Sequence, residues 1–68
     1  MSESKARELR KKRDLSIVGM SYEIKVNPTI IGMAERKQLA PSKKVREAVA
    51  AFFSVSEEQL FDDNGIAL

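Results

Sequence analysis

Cysteine and histidine are both absent from the 68 residues. That removes thiol nucleophiles, imidazole acid–base chemistry and the common zinc ligand sets, so neither a metal nor a cofactor is expected. Long apolar runs are missing too. The longest, Ala48 to Phe53, makes one face of a helix and falls far short of the roughly 20 residues that span a bilayer. The N-terminus lacks the layout of a signal peptide, so a cytoplasmic protein with no membrane partner is expected. Carboxylates are present, but Glu8, Glu23, Glu35 and Glu47 are scattered and none neighbours a plausible nucleophile or base. A binding role is therefore expected rather than an enzyme. The chain has the length of one domain, 1–68, near the lower limit for folding without disulfides or metal.

The formal net charge of +2 conceals an asymmetry. All 12 lysines and arginines lie in residues 1–46, against five acids there, which leaves +7. From residue 47 onward only acids occur (Glu47, Glu57, Glu58, Asp62, Asp63), which gives −5. A molecule with one basic end suits a polyanion, because fixed cations displace the counterions condensed on phosphates. A solvated surface with a chance imbalance is the alternative.

Helix signals recur at short intervals, with no internal repeat, linker or low-complexity segment. Residues 4–13 read as a first helix with Ala6 and Leu9 inward, joined by the stems of Arg10 and Arg13. Ser16 is a good N-cap for a second helix through about Lys25, with Met20, Ile24 and then Val26 facing in. Asn27-Pro28 is the sharpest signal. Asparagine caps well, and proline fits the first helical position, where its missing N–H costs nothing. A third helix therefore runs to about Arg36, with Ile31 and Ala34 inward. Ser42 caps a fourth helix to Phe53 that carries Val45, Val49, Phe52 and Phe53 at helical spacing. Ser56-Glu57-Glu58-Gln59 has the form of a capping box and opens a short fifth helix that brings Leu60 and Phe61 to the core. Only Tyr22 to Val26 approaches strand periodicity, and the helical pattern outweighs it. The expected fold is all-α, a compact five-helix bundle.

Helices over about 16–25 and 27–36 with a tight joint have helix-turn-helix spacing. The positions Leu15-Ser16, Met20-Ser21, Ile24-Lys25-Val26-Asn27-Pro28-Thr29-Ile30-Ile31, Glu35-Arg36, Pro41-Ser42 and Phe53-Ser54-Val55-Ser56…Gln59-Leu60-Phe61 follow one another in register, ungapped from Pro41. In this the chain resembles the phage-repressor/Cro-like (Xre-type) family over residues 6–61. The resemblance implies a lambda-repressor-like bundle that binds double-stranded DNA as a sequence-specific transcriptional regulator, a repressor, with helix 28–36 in the major groove. It also implies phosphate clamping by the start of the second helix and the loop after the third. The DNA-facing residues would be Ser16, Ile17, Asn27, Pro28, Thr29, Gly32 and Met33, with Arg36, Lys37 and Lys43 as a basic rim. Ser16 and Asn27 place helix N-termini, whose dipoles favour phosphate, although capping alone accounts for both.

The departures from the family pattern are informative. Ile17 stands where the family usually has glutamine, and Lys25 and Lys37 stand where it has glycine. Among positions 28, 29, 32 and 33, only Thr29 can hydrogen-bond a base edge, while Met33 and the Thr29 methyl suit a thymine methyl. The apolar residues Ile17, Val18, Ile30 and Met33 also fit a protein-binding surface, so the competing role is a protein–protein adaptor, such as an antirepressor or antitoxin. Members of the family pair an Arg and a Glu between the first and third helices, which implies a largely buried Arg10–Glu35 bridge. Otherwise Arg10 is one more solvated cation in the run Arg10-Lys11-Lys12-Arg13. A single domain covers too few base pairs for a useful operator, so a homodimer on DNA is expected. Its surface would be the fifth helix and the tail, 62–68, where Ile66 and Leu68 fit either a dimer contact or a frayed, flexible end.

Overall fold

A computed structural model describes residues 3–68; Met1 and Ser2, the start of the expected 1–68 domain, lie outside the described residues. Five helices follow in order: α1 (Lys5–Lys12), α2 (Ile17–Ile24), α3 (Pro28–Glu35), α4 (Lys43–Phe53) and α5 (Glu57–Leu60). The described residues contain no named strand, only one isolated antiparallel bridge between Phe61 and Ala67. The fold is all-α, and no described helix is long and apolar enough to cross a membrane.

Each helix begins where a short polar side chain can satisfy a free backbone N–H. Ser4 Oγ accepts from Arg7 N–H at 3.3 Å, Ser16 Oγ from Gly19 at 2.9 Å, Asn27 Oδ1 from Thr29 at 2.8 Å and Ser42 Oγ from Val45 at 3.3 Å. At α5 the Ser56 N–H donates to Gln59 Oε1 at 2.9 Å, the returning arm of the capping box. The four longer helices also end alike. Asp14, Lys25, Lys37 and Ser54 all take positive φ between 56° and 62°. The N–H of the next residue then turns back to a carbonyl in the last turn: Leu15 to Arg10, Val26 to Ser21, Gln38 to Met33 and Val55 to Ala50. Glycine is the usual residue for this exit. None of the four is glycine, so each exit carries a cost on the order of 1 kcal/mol against the carbonyls it satisfies.

The core gathers Ala6, Met20, Ile31, Val49, Ala50, Phe53, Leu60, Phe61 and Ala67, with Met20 and Leu60 essentially sealed from solvent. Leu9, Leu15, Ile24, Val26, Val45 and Phe52 pack around it, half-buried. Arg13, expected to turn its stem inward, is exposed. Its guanidinium lies 4.8 and 4.9 Å from the Phe52 and Phe53 ring centres, and Nη1 donates to Phe52 O at 2.9 Å. This ties the end of α1 to the end of α4.

The tail, for which the sequence leaves a dimer contact and a frayed end both open, folds back over residues 62–68. Asp62 Oδ1 accepts from the N–H groups of Asn64 and Ile66, and Gly65 takes φ 82° to close the turn. Leu68 N–H then bonds Leu60 O at 2.9 Å, and Leu68 O accepts from Lys5 N–H at 2.6 Å. Ala67 is buried, Ile66 is half-buried and Leu68 is 47 % exposed.

Candidate functional site

The joint between α2 and α3 is three residues long, Lys25 to Asn27. Lys25 reverses the chain in the left-handed conformation, Asn27 caps α3, and Pro28 occupies its first turn. The last turn and a half of α3 is sunk into the molecule, with Ile31, Gly32, Ala34 and Glu35 buried. Its first turn stands clear, with Pro28, Thr29 and Ile30 exposed. The two-helix unit therefore presents the start and one side of α3 to solvent.

A buried ion pair ties α3 to α1. Arg10 Nε donates to Glu35 Oε2 at 2.7 Å and Nη2 to Oε1 at 3.0 Å, a bidentate contact between α1 and α3. The third arm, Nη1, donates to Leu15 O at 2.8 Å, so the guanidinium also holds the joint before α2. The side chains are 11 % and 5 % exposed. Arg10 is thus separated from the solvated run in which it lies in sequence. Within that run Lys11 pairs with Glu3 at 2.8 Å, and this hydrogen bond holds the Glu3 carboxylate below its ordinary pKa, on an exposed surface away from α3.

The residues expected to face DNA are not all on one surface. Ser16, Asn27, Pro28 and Thr29 are exposed, and Met33 is half-exposed beside them. Gly32 is buried, with the Arg36 guanidinium and Ile17 beside it. A Cβ there would lie 3.2 Å from Arg36 Nη1 and 3.7 Å from Ile17 Cδ1. Ile17 is half-buried and packs against the core, filling the seam between α2 and α3. Arg36 does not project sideways as a rim cation; it folds back along α3 over Gly32, with Nε donating to Gln38 Oε1 at 3.0 Å. Lys37 is exposed in its left-handed exit.

Lys43 turns the other way from the expected rim. Its Nζ lies 3.7 Å from both Glu47 and Glu57, toward the acidic end of the molecule. Its neighbour Lys44 instead lines a groove with Lys25, Asn27 and Ile30, between the α2–α3 joint and the start of α4. Lys44 and Lys25 are the cations that sequence reasoning passed over as site residues. Their signal was present but weak: a lysine pair at the start of a helix does not reveal which member faces which neighbour until the rotation of α4 is known.

Between Ile24 and Arg46 the sequence carries six cations and one acid, Glu35. That acid is withdrawn onto Arg10. The exposed flank of α3 is consequently free of carboxylates along its own length, and Thr29, Met33 and the Arg36 guanidinium are its polar and polarisable groups. No cluster of residues able to hold a metal ion occurs among the described residues. No family model matches the chain, and no curated protein or solved structure is significantly similar to it.

Proposed function

We propose that this protein is a sequence-specific double-stranded DNA-binding regulator of the lambda-repressor-like helix-turn-helix type, a repressor that acts in the cytoplasm with α3 in the major groove. The observation that carries this is the exposed, carboxylate-free flank of α3, whose single acid is buried on Arg10. A duplex presents phosphates on both walls of the groove, and an exposed carboxylate on that helix would oppose them. The capped N-termini of α2 and α3 turn their positive dipole ends outward at exposed residues, and Lys25, Lys37 and Lys44 supply cations around α3. Two copies on half-sites about one helical turn apart would give the operator its length.

Selection of bound sites from random duplexes, followed by titration in rising salt, tests the proposal. A recurring sequence motif is expected, with affinity falling steeply as salt rises because each neutralised phosphate releases counterions. Absence of any enriched motif, together with salt-independent retention, would overturn it.

A specific feature favours a second role. Val18 and Tyr22, one turn apart on α2, are 52 % and 78 % exposed, and Ile30 is 37 % exposed. An apolar strip of this kind suits a helix-turn-helix fold used as a protein adaptor, an antirepressor or antitoxin. Contacts through it would hardly respond to salt, which separates the two roles.

A further inference from the structure

We infer, on the premise of the DNA-binding role above, that Arg36 reads a guanine in the major groove, and that Gly32 and Gln38 position it to do so. Three observations converge. Pro28, Gly32 and Arg36 follow one another at i, i+4 spacing, so they form one row along α3. Side chains near a helix end lean back toward the N-terminus, and the Arg36 guanidinium accordingly lies over position 32, with Nη1 and Nη2 within 3.2 and 3.7 Å of where a Cβ would be. A Cβ there would make the guanidinium give by a few tenths of an ångström, so glycine lets it rest close against the helix backbone.

Gln38 completes the arrangement. Its Oε1 accepts from Arg36 Nε at 3.0 Å. The two terminal nitrogens make no hydrogen bond to any described residue, and Arg36 as a whole is exposed. A planar fork held at Nε with its Nη pair free has the geometry that contacts guanine O6 and N7 together. Arginine also suits this task better than lysine, which offers a single rotating point charge. The arrangement further explains how a recognition helix whose other outward residues are Pro28, Thr29, Ile30 and Met33 obtains a strong base contact. The fork comes from the residue that closes the helix and reaches back over a gap.

Arg36→Lys keeps the charge and removes the fork, and an exposed position makes folding of the variant a simple matter to verify by melting. On operator DNA obtained by selection, R36K is expected to lose about five- to 150-fold in affinity, the 1–3 kcal/mol of one bidentate pair. On random duplex its affinity and salt slope should match those of the parent protein. Replacing operator guanines singly with 7-deazaguanine should reveal one position at which the parent protein is weakened and R36K is not. Gly32→Ala, which crowds the guanidinium by a few tenths of an ångström without changing charge, should reduce discrimination at that same base pair. If R36K discriminates as well as the parent, or if no guanine shows this selective response, Arg36 contacts phosphate and the inference fails while DNA binding stands. If the unmodified protein selects no sequence at all, the DNA-binding role fails, and the inference fails with it.

Discussion

α3 turns Ile31, Ala34 and the Glu35 carboxylate inward, whereas α4, α5 and the returning tail turn in Val49, Ala50, Phe53, Leu60, Phe61 and Ala67. The second region is assembled by apolar burial plus backbone bonds from Leu68 to Leu60 and Lys5. The first has apolar residues on its outer side as well, Ile30 and Met33, so hydrophobicity alone does not say which face belongs inside. A carboxylate with one buried, bidentate partner does say so. The contrast shows how a helix can leave apolar residues exposed and still hold one rotational setting. The polar anchor adds to the burial of Ile31 and Ala34 in fixing that setting.

The largest effect should come from removing that anchor. Glu35→Ala strands the Arg10 guanidinium in the interior, at a cost of about 3–5 kcal/mol. That approaches the whole stability of a domain this small, so the variant should be unfolded or nearly so at room temperature, with DNA binding lost. A thermal melt within a few degrees of the parent protein would show that the pair is not what anchors α3. Arg10→Met combined with Glu35→Leu sharpens the comparison. Replacing both charges with apolar groups of similar size should restore most of the melting temperature, while operator affinity stays reduced because α3 has lost its rotational cue.

In the other region, Leu60→Ala removes a fully buried side chain that α5 contributes to the core. A loss of about 2–5 kcal/mol is expected, measured by denaturant titration, with the Arg10–Glu35 pair intact. Next in size, Thr29→Ala with Met33→Ala should leave the melt unchanged. The double variant should weaken operator binding by about 1–3 kcal/mol per contact, at the low end because Met33 offers only an apolar touch, with random DNA little affected. Equal losses on both DNAs would mean that these residues only shape the helix. The smallest effect separates two neighbours. Lys44→Ala should lower the slope of log affinity against log salt by about one phosphate contact, whereas Lys43→Ala, already facing Glu47 and Glu57, should leave it unchanged. The reverse outcome would put the basic rim on the acidic side of α4.

Much of the helix pattern was readable from short-range chemistry. Ser16, Asn27 and Ser42 announce helix starts because a hydroxyl or amide one residue before a helix reaches a free N–H of its first turn, whatever the rest of the chain does. The left-handed exits were less readable. Lys25 and Lys37 stood out only against a family pattern with glycine there, and Asp14 and Ser54 gave no notice. Lysine and serine have no local preference for that conformation and aspartate a modest one; the bonds from the following residue to last-turn carbonyls stabilise the reversal. The tail stayed undecided in the sequence because its anchor, Ala67, is a small residue whose burial depends on a turn built by Asp62 and Gly65.

The amino-acid sequence by itself determined where the helices begin, which residues are apolar at helical spacing, and that the cations gather before residue 47 and the acids dominate after it. Those properties depend on neighbours within one or two turns, so they survive without knowledge of the whole. The tertiary structure alone decided that the Arg36 guanidinium lies over Gly32, that Lys44 rather than Lys43 faces the α2–α3 joint, and that the tail closes under α1. Each of these rests on the rotation of a helix about its axis or on a contact between residues far apart in sequence. Such angles are set only when all the helices bury their faces together.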